Sequence, residues 1–436
     1  MRKILLTSVV CLACVMPILA GGVLTNTNQH VSFLRMVARG ASIGISGAYY
    51  NPAGTAFMND GIYLSFNGQS VYQTRTIDSK FMLGTDMDFS HKYKGKASAP
   101  FLPNVMAAYK KGNLAFSGSF GIIGGGGKAS FNEGLPMFSN AVHAAMAMQK
   151  IPTKEYSINS SLDGSQMIWG LQMGAAYKFN DWLSGYAGGR MNYFTGGYEG
   201  FLQASLRGKN PVEVVGIDLD CTQTGWGLTP ILGLDAKLGK FNIGLKYEFI
   251  TKMNIENKTK KSEYRIKGVP QDINSPLAAY KDGVNTPNDI PALLSAAVQY
   301  SILPSLRASV EYHYYFDKQA GMAQDKQKSL DRGTIEYLAG IEWDVTKILT
   351  ISAGYQNTNY GQTDGFQSDT SFSCDSYSIG LGAEVKLNKH LNLNVGYFWT
   401  NYSDYKMKAQ IAKNIASDNT YSRTNKVFGL GIDYKF

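Results

Sequence analysis

The sequence predicts an all-β protein: a 14-stranded antiparallel transmembrane β-barrel with a small, partly helical N-terminal plug, or hatch, inside it. Three observations carry this expectation. The chain opens like a secreted protein. Long stretches after the opening alternate apolar and polar residues with a period of two, up to the terminal "NKVFGLGIDYKF". No later window offers the ~20 uncharged apolar residues that a membrane-crossing helix requires.

Taken in order, Met1-Arg2-Lys3 is a short basic start, and the apolar run "ILLTSVVCLACVMPILA" ends at Ala20 before Gly21-Gly22. That is the layout of a secretory signal peptide, assigned to residues 1–20. The remaining chain divides into a plug, 21–58, and a barrel, 59–436. Charged residues make up only 17% and aromatics 12%, with 27 Tyr and 47 Gly. In a secreted chain with no later spanning helix, this composition suits strands that cross lipid as a closed barrel, the one sheet arrangement that leaves no backbone group unpaired there.

Removing Arg2 and Lys3 takes the formal net charge from +9 to +7. The basic residues are scattered and not interleaved with aromatics, so nucleic acid is not expected as a partner. The leader takes Cys11 and Cys14 with it. Cys221 and Cys374 remain, and the sequence leaves open whether they pair. The spacing of His, Cys, Asp and Glu supports no metal or other cofactor, and no nucleophile elbow or HExxH motif points to an enzyme.

Fourteen alternating stretches follow the plug. Ile62, Leu64 and Phe66 oppose Tyr63, Ser65 and Asn67, and Leu114, Phe116 and Phe120 oppose Ser117 and Ser119. The hairpins 291–316 and 334–356 turn near Pro304 and Lys347. The last strand places Phe428, Leu430, Ile432, Tyr434 and Phe436 on one face. Tight turns at Lys111, Asn180, Gly239, Pro304, Lys347 and Lys389 face long linkers near 124–165, 197–222, 255–289, 318–332, 360–373 and 404–420, the asymmetry of outer-membrane barrels. The aromatic last strand also resembles the signal read by the barrel-insertion machinery.

Residues 32–58 do not alternate. The stretch is apolar, broken by glycine, with helical spacing at Leu34, Val37, Ala41 and Ile45. Exposing Tyr49, Tyr50, Phe57 and Met58 to water would be costly, so the segment is expected inside the barrel. Within it, "ARGASIGISGAYYNPAGTAFM", with Asn51-Pro52-Ala53, resembles the hatch of the long-chain fatty acid transporter family, the FadL/TodX-type outer membrane proteins. The similarity continues through 289–315, 337–356 and the terminal "FGLGIDYKF". The resemblance implies a monomer in the Gram-negative outer membrane, in contact with its lipid and lipopolysaccharide. It implies passive uptake of a hydrophobic small molecule or fatty acid, with exit sideways beside a kinked third strand.

Several residues are candidates for that task. Gly124, Gly125, Gly126 and Gly127 supply no side chains and suit a bulge or opening in the third strand, or equally the start of a flexible loop. The spacing of Val142, Met146 and Met148 predicts a helix over 139–151 that either forms an outer capture groove or caps the barrel. Strand parity turns Arg190, Lys246 and Arg307 inward, where they would meet a ligand carboxylate or pair with lumen acids such as Glu248 and Glu311. Asn51-Pro52 makes a stiff corner on which the plug would pivot. A general diffusion porin for small polar solutes is the alternative, but it gives no reason for an apolar segment 32–58.

Overall fold

The computed structural model describes residues 28–84, 87–271, 277–412 and 415–436. The expected leader and the first seven plug residues lie outside them. Fourteen strands close into one antiparallel barrel: β1 (Gly61–Leu83), β2 (Met87–Lys111), β3 (Leu114–Phe131), β4 (Tyr156–Lys178), β5 (Leu183–Leu206), β6 (Val212–Leu238), β7 (Phe241–Glu248, resuming as Asn254–Ile266), β8 (Asn285–Pro287 and Leu293–Leu303), β9 (Leu306–Tyr315), β10 (Ile335–Asp344), β11 (Leu349–Asn359), β12 (Ser376–Lys386), β13 (Leu391–Tyr402) and β14 (Ile415–Lys435). β14 pairs back onto β1 from Tyr63↔Lys435 to Leu83↔Ile415, so the sheet has no free edge there. The strip Tyr405–Ala412 folds onto the outer end of β14.

The wall is apolar outside and polar inside, the reverse of a water-soluble barrel. Phe66 is 51% exposed while its neighbour Asn67 is wholly buried, and Phe428 is 54% exposed while Val427 points inward. Only a hydrocarbon surround makes that alternation favourable. Exposed Phe179, Trp182, Phe241, Trp343 and Phe436 ring the short-turn end, and Tyr193, Trp226, Tyr337 and Tyr355 ring the other. Such girdles sit at membrane–water boundaries.

Strands run much further at the long-loop end than the sequence reading expects. Residues 212–221 and 255–266, read as linkers, are ladder. Above the lipid the apolar face changes sides. Trp226 and Leu228 point outward from β6, but further along Val215, Ile217, Leu219 and Cys221 point inward while Asp218 and Asp220 face water. The period is still two; its phase is inverted because the surroundings are now aqueous. Helix α2 (Pro136–Met148) lies over this end, packed with Leu135, Phe138 and Tyr156 into an apolar cap.

The plug occupies the lumen. Its α1 (Val31–Arg35) and two 3-10 turns, Ile45–Ala48 and Ala53–Phe57, are joined by extended chain, so it is only partly helical. α1 presses against the wall at Gly380 and Gly396. A Cβ added there would sit 2.3 Å from the Leu34 carbonyl oxygen and 2.8 Å from the Leu34 Cβ, too close for any other residue. Arg35 bonds Glu342 (2.6 Å) and Glu384 (3.0 Å), and Arg39 bonds Glu342 (3.1 Å). The Gly40 amide donates to Glu311 (2.8 Å), which is also held by His313 (2.7 Å). Asn51 donates to Asp235 (2.6 Å), and Ser184 donates to the carbonyl of Ala53 (2.8 Å). Asn51-Pro52-Ala53 is thus pinned to β5 and β6. Pro52 precedes the second 3-10 turn with φ −66°, the angle its ring dictates.

Candidate functional site

The ladder between β2 and β3 is interrupted. Pairing runs from Lys111↔Leu114 to Asn104↔Gly121 and resumes at Ser98↔Lys128; residues 99–103 and 122–127 have no partner across the gap. Both sides explain this. On β2, Pro100 and Pro103 have no N–H to give. On β3, the register against β4 slips twice, at Ile122/Gly124 and Gly125/Gly127. Gly125 (φ +96°) and Gly127 (φ +72°) occupy backbone conformations that a side chain resists. The four glycines singled out in the sequence fall on this break.

A cavity of about 200 Å³ lies directly behind it. Asn28 and Phe33 of the plug form its floor, and Gly125 and Gly127 its side toward the break. Phe398 and Tyr402 line the far wall; Phe131, Leu135 and Phe372 form the roof. Asp369 accepts from the Met137 amide (2.7 Å) and from the Tyr421 hydroxyl (2.9 Å), which ties the 360–375 loop, the start of α2 and β14 together over the chamber.

Arg75 and Arg423 reach into this chamber from facing positions on β1 and β14, where they are register partners. Arg75 stands 6.0 Å from the Phe372 ring and Arg423 5.0 Å from the Tyr402 ring. Among the described residues neither forms an ion pair, and the Arg75 Nε is buried without a hydrogen-bond partner. The lumen arginines under and around the plug behave otherwise, each held by carboxylates. Two adjacent guanidiniums with no acid to share, in a chamber whose aromatic side chains alternate with Ser, Thr and Gln in about equal share, suit the anionic end of an amphiphilic molecule.

The cations chosen from sequence lie elsewhere. Arg190 and Lys246 both bond Glu248, Lys246 at 2.8 Å, and Lys246 also donates to the Tyr49 carbonyl (3.0 Å). They hold the plug and do not line the chamber. Arg307 bonds Glu342 (3.3 Å) and Asp344 (3.0 Å), not Glu311. Val142 and Met146 turn into the apolar cap, and Met148 stands exposed at the end of α2; none of the three lines the chamber. Helical spacing reveals an apolar face but not what that face covers. Arg75 and Arg423 were legible by parity: Arg75 is in phase with inward Ser65, Asn67 and Gln69, and Arg423 with inward Val427. Cys221 and Cys374 are buried free thiols.

The cap carries a pH dependence. His143 on α2 stacks on Phe89 at 4.1 Å and bonds the Tyr156 hydroxyl (2.6 Å). Burial lowers its pKa from 6.5 to about 4. The docked helix therefore binds fewer protons than an undocked one between these values. Docking is strongest above pH 6.5 and weakens as pH falls toward 4. Amide exchange over 136–148, corrected for intrinsic rates, should quicken across this window, and His143→Gln should abolish the dependence.

Fold and chamber together define a class: a plugged fourteen-stranded membrane barrel with a chamber that abuts a break in its wall. Residues 272–436 match the family model described as outer membrane protein beta-barrel domain. The structure is similar to that of a Pseudomonas aeruginosa FadL homologue, with TM-score 0.68, 14% identity, and 95% of this chain and 100% of that one covered. It is similar also to the Ralstonia pickettii toluene transporter TbuX (TM-score 0.53, 14% identity, 90% and 94% covered) and the Pseudomonas putida toluene transporter TodX (0.55, 12%, 93% and 97%). No curated protein matches the sequence. The chain is an outer-membrane β-barrel with the fold of these proteins.

Proposed function

We propose that the protein carries hydrophobic molecules with one anionic end, of the long-chain fatty acid kind, passively across the outer membrane. The ligand enters among the long loops and rests in the chamber with its charge at Arg75 and Arg423. It leaves sideways, between β2 and β3, into the bilayer. The observation that carries this reading is the chamber's position. Its floor is the plug, which fills the lumen beneath it, while its side meets the stretch between Ser98 and Asn104 where the ladder of β2 and β3 is interrupted. A straight aqueous path of the porin kind would need that plug gone. The wall is closed within one chain, which supports a monomer as the transporting unit. The toluene transporters named above suggest a neutral aromatic cargo as the second reading; two unpaired arginines favour the anion.

Arg75→Gln together with Arg423→Gln should weaken binding of a long-chain carboxylate by about ten- to a hundredfold, the worth of one charge-assisted contact. Binding of the matching alcohol should change little. Isothermal titration in detergent separates the cases, and equal loss for both ligands would favour the neutral cargo.

A further inference from the structure

We infer that the outer wall formed by β14, β1 and β2 binds the phosphorylated head groups of outer-leaflet lipid. Along this wall the outward positions of β1 are lipid-facing as far as Tyr72, which is 53% exposed. Beyond Tyr72 the outward residues become Thr74, Thr76, Asp78 and Lys80. Their register partners on β2 are Lys96 beside Thr74, Lys94 beside Thr76 and Lys92 beside Asp78; on β14, Lys426 lies beside Tyr72 itself. All of these lysines are exposed, while Tyr93 and Ala97 between them point inward and are buried. Lys406, on the strip folded against β14, adds another exposed lysine next to Thr420.

Among the described residues Lys80, Lys92, Lys94, Lys96, Lys406 and Lys426 form no ion pair. The described carboxylates in their midst are Asp78 and Asp418, and Asp418 is taken by Lys408 (3.4 Å). The opposite wall shows what a self-satisfied surface looks like. There Lys252, Lys260, Lys261 and Arg265 pair with Asp289, Asp220, Asp218 and Glu213. A column in which six flexible ammonium groups outnumber two carboxylates attracts anions from outside the chain.

Position selects which anion. Outward residues recur every ~7 Å along a strand tilted by ~40°, so Lys426 stands level with Tyr72, Lys96 ~5 Å above it and Lys92 ~15 Å above it. The head-group layer is ~5–8 Å deep, so Lys426 and Lys96 stand at the level of lipid phosphates with Lys94 and Lys92 above them, and each lysine near a charged membrane surface strengthens attachment. The column begins at the apolar belt without a step, so an amphiphile anchored in the outer leaflet meets it first. Lysine, a point charge on a flexible stem, suits several phosphates at varied spacing.

Native mass spectrometry of the full-length protein with diphosphorylated lipid A, and with lipid A stripped of phosphate, tests this. In the variant Lys92→Gln, Lys94→Gln, Lys96→Gln and Lys426→Gln, retention of diphosphorylated lipid A should fall by about tenfold or more. A control variant with Lys258→Gln, Lys260→Gln, Lys261→Gln and Lys267→Gln loses the same charge from the opposite wall and should retain it. Phosphate-free lipid A should bind weakly and equally to all three proteins. All substitutions are at exposed side chains, and the heat-dependent gel shift of a folded barrel verifies each variant. Undiminished retention by the first variant, equal loss in both variants, or tight binding of phosphate-free lipid would overturn the assignment.

Discussion

Deleting residues 28–58 should turn a closed barrel into an open pore. The wall does not depend on the plug for its own bonds: β1 begins at Gly61 and pairs directly with β14 and β2. What the plug satisfies is the lumen. Without it, Glu342, Glu384, Glu311, Asp235 and Asn242 face water, which hydrates them at little cost. The expected result in planar bilayers is stable conductance steps from the deletion protein and near silence from the intact one. A graded version acts on the plug's strongest anchor. Glu342 receives Arg35, Arg39 and Arg307, so Glu342→Ala leaves three guanidiniums short of a partner. Losing one member of a buried charge network typically costs ~3–5 kcal/mol, enough to make the plug leave its seat intermittently. Flickering conductance should follow. A deletion protein that folds, inserts and stays silent would mean that the plug does not close the lumen.

Closing the break should stop transport without stopping binding. A Cβ at Gly127 would lie 3.5 Å from that of Ala99 across the gap, within the range a disulfide spans. Ala99→Cys with Gly127→Cys therefore stitches β2 to β3 where the ladder is missing. The second substitution is made at φ +72°, a strain of ~1–2 kcal/mol that a barrel of this size tolerates. Cys221 and Cys374 are buried and do not compete. The oxidised protein should bind a long-chain carboxylate like the parent and fail to deliver it to vesicle lipid; reduction should restore delivery. Undiminished delivery by the oxidised form would place the exit elsewhere.

Much of the architecture was legible because lipid imposes a simple rule. Where hydrocarbon surrounds the wall, every second residue is apolar, and Ile62 to Phe66 or Phe428 to Phe436 announce themselves. Above the membrane the same rule inverts, and Val215 to Cys221 carry the period in the opposite phase, so they read as linker. The plug stood out because 32–58 is apolar without a period. The break was half visible: the glycines of β3 were plain, while Pro100 and Pro103 on the facing strand went unused. The site cations were the least legible part. Inward parity holds for Arg190, Lys246 and Arg307 as it does for Arg75 and Arg423, and parity cannot say which of them meets an acid. That is decided by acids at neighbouring strand positions: Glu248 lies two residues from Lys246 on the same face, Glu342 is the register partner of Arg307 on β10, and Arg190 reaches Glu248 across β6.

The sideways route is tested most directly by a long-chain carboxylate with a photoreactive group near its tail, activated during delivery to vesicle lipid. Peptide mapping should find the label on residues 99–103 and 122–131, the two margins of the break. Label concentrated below the plug, around Arg190, Lys246 and the short turns, would contradict lateral exit and restore a straight path through the lumen.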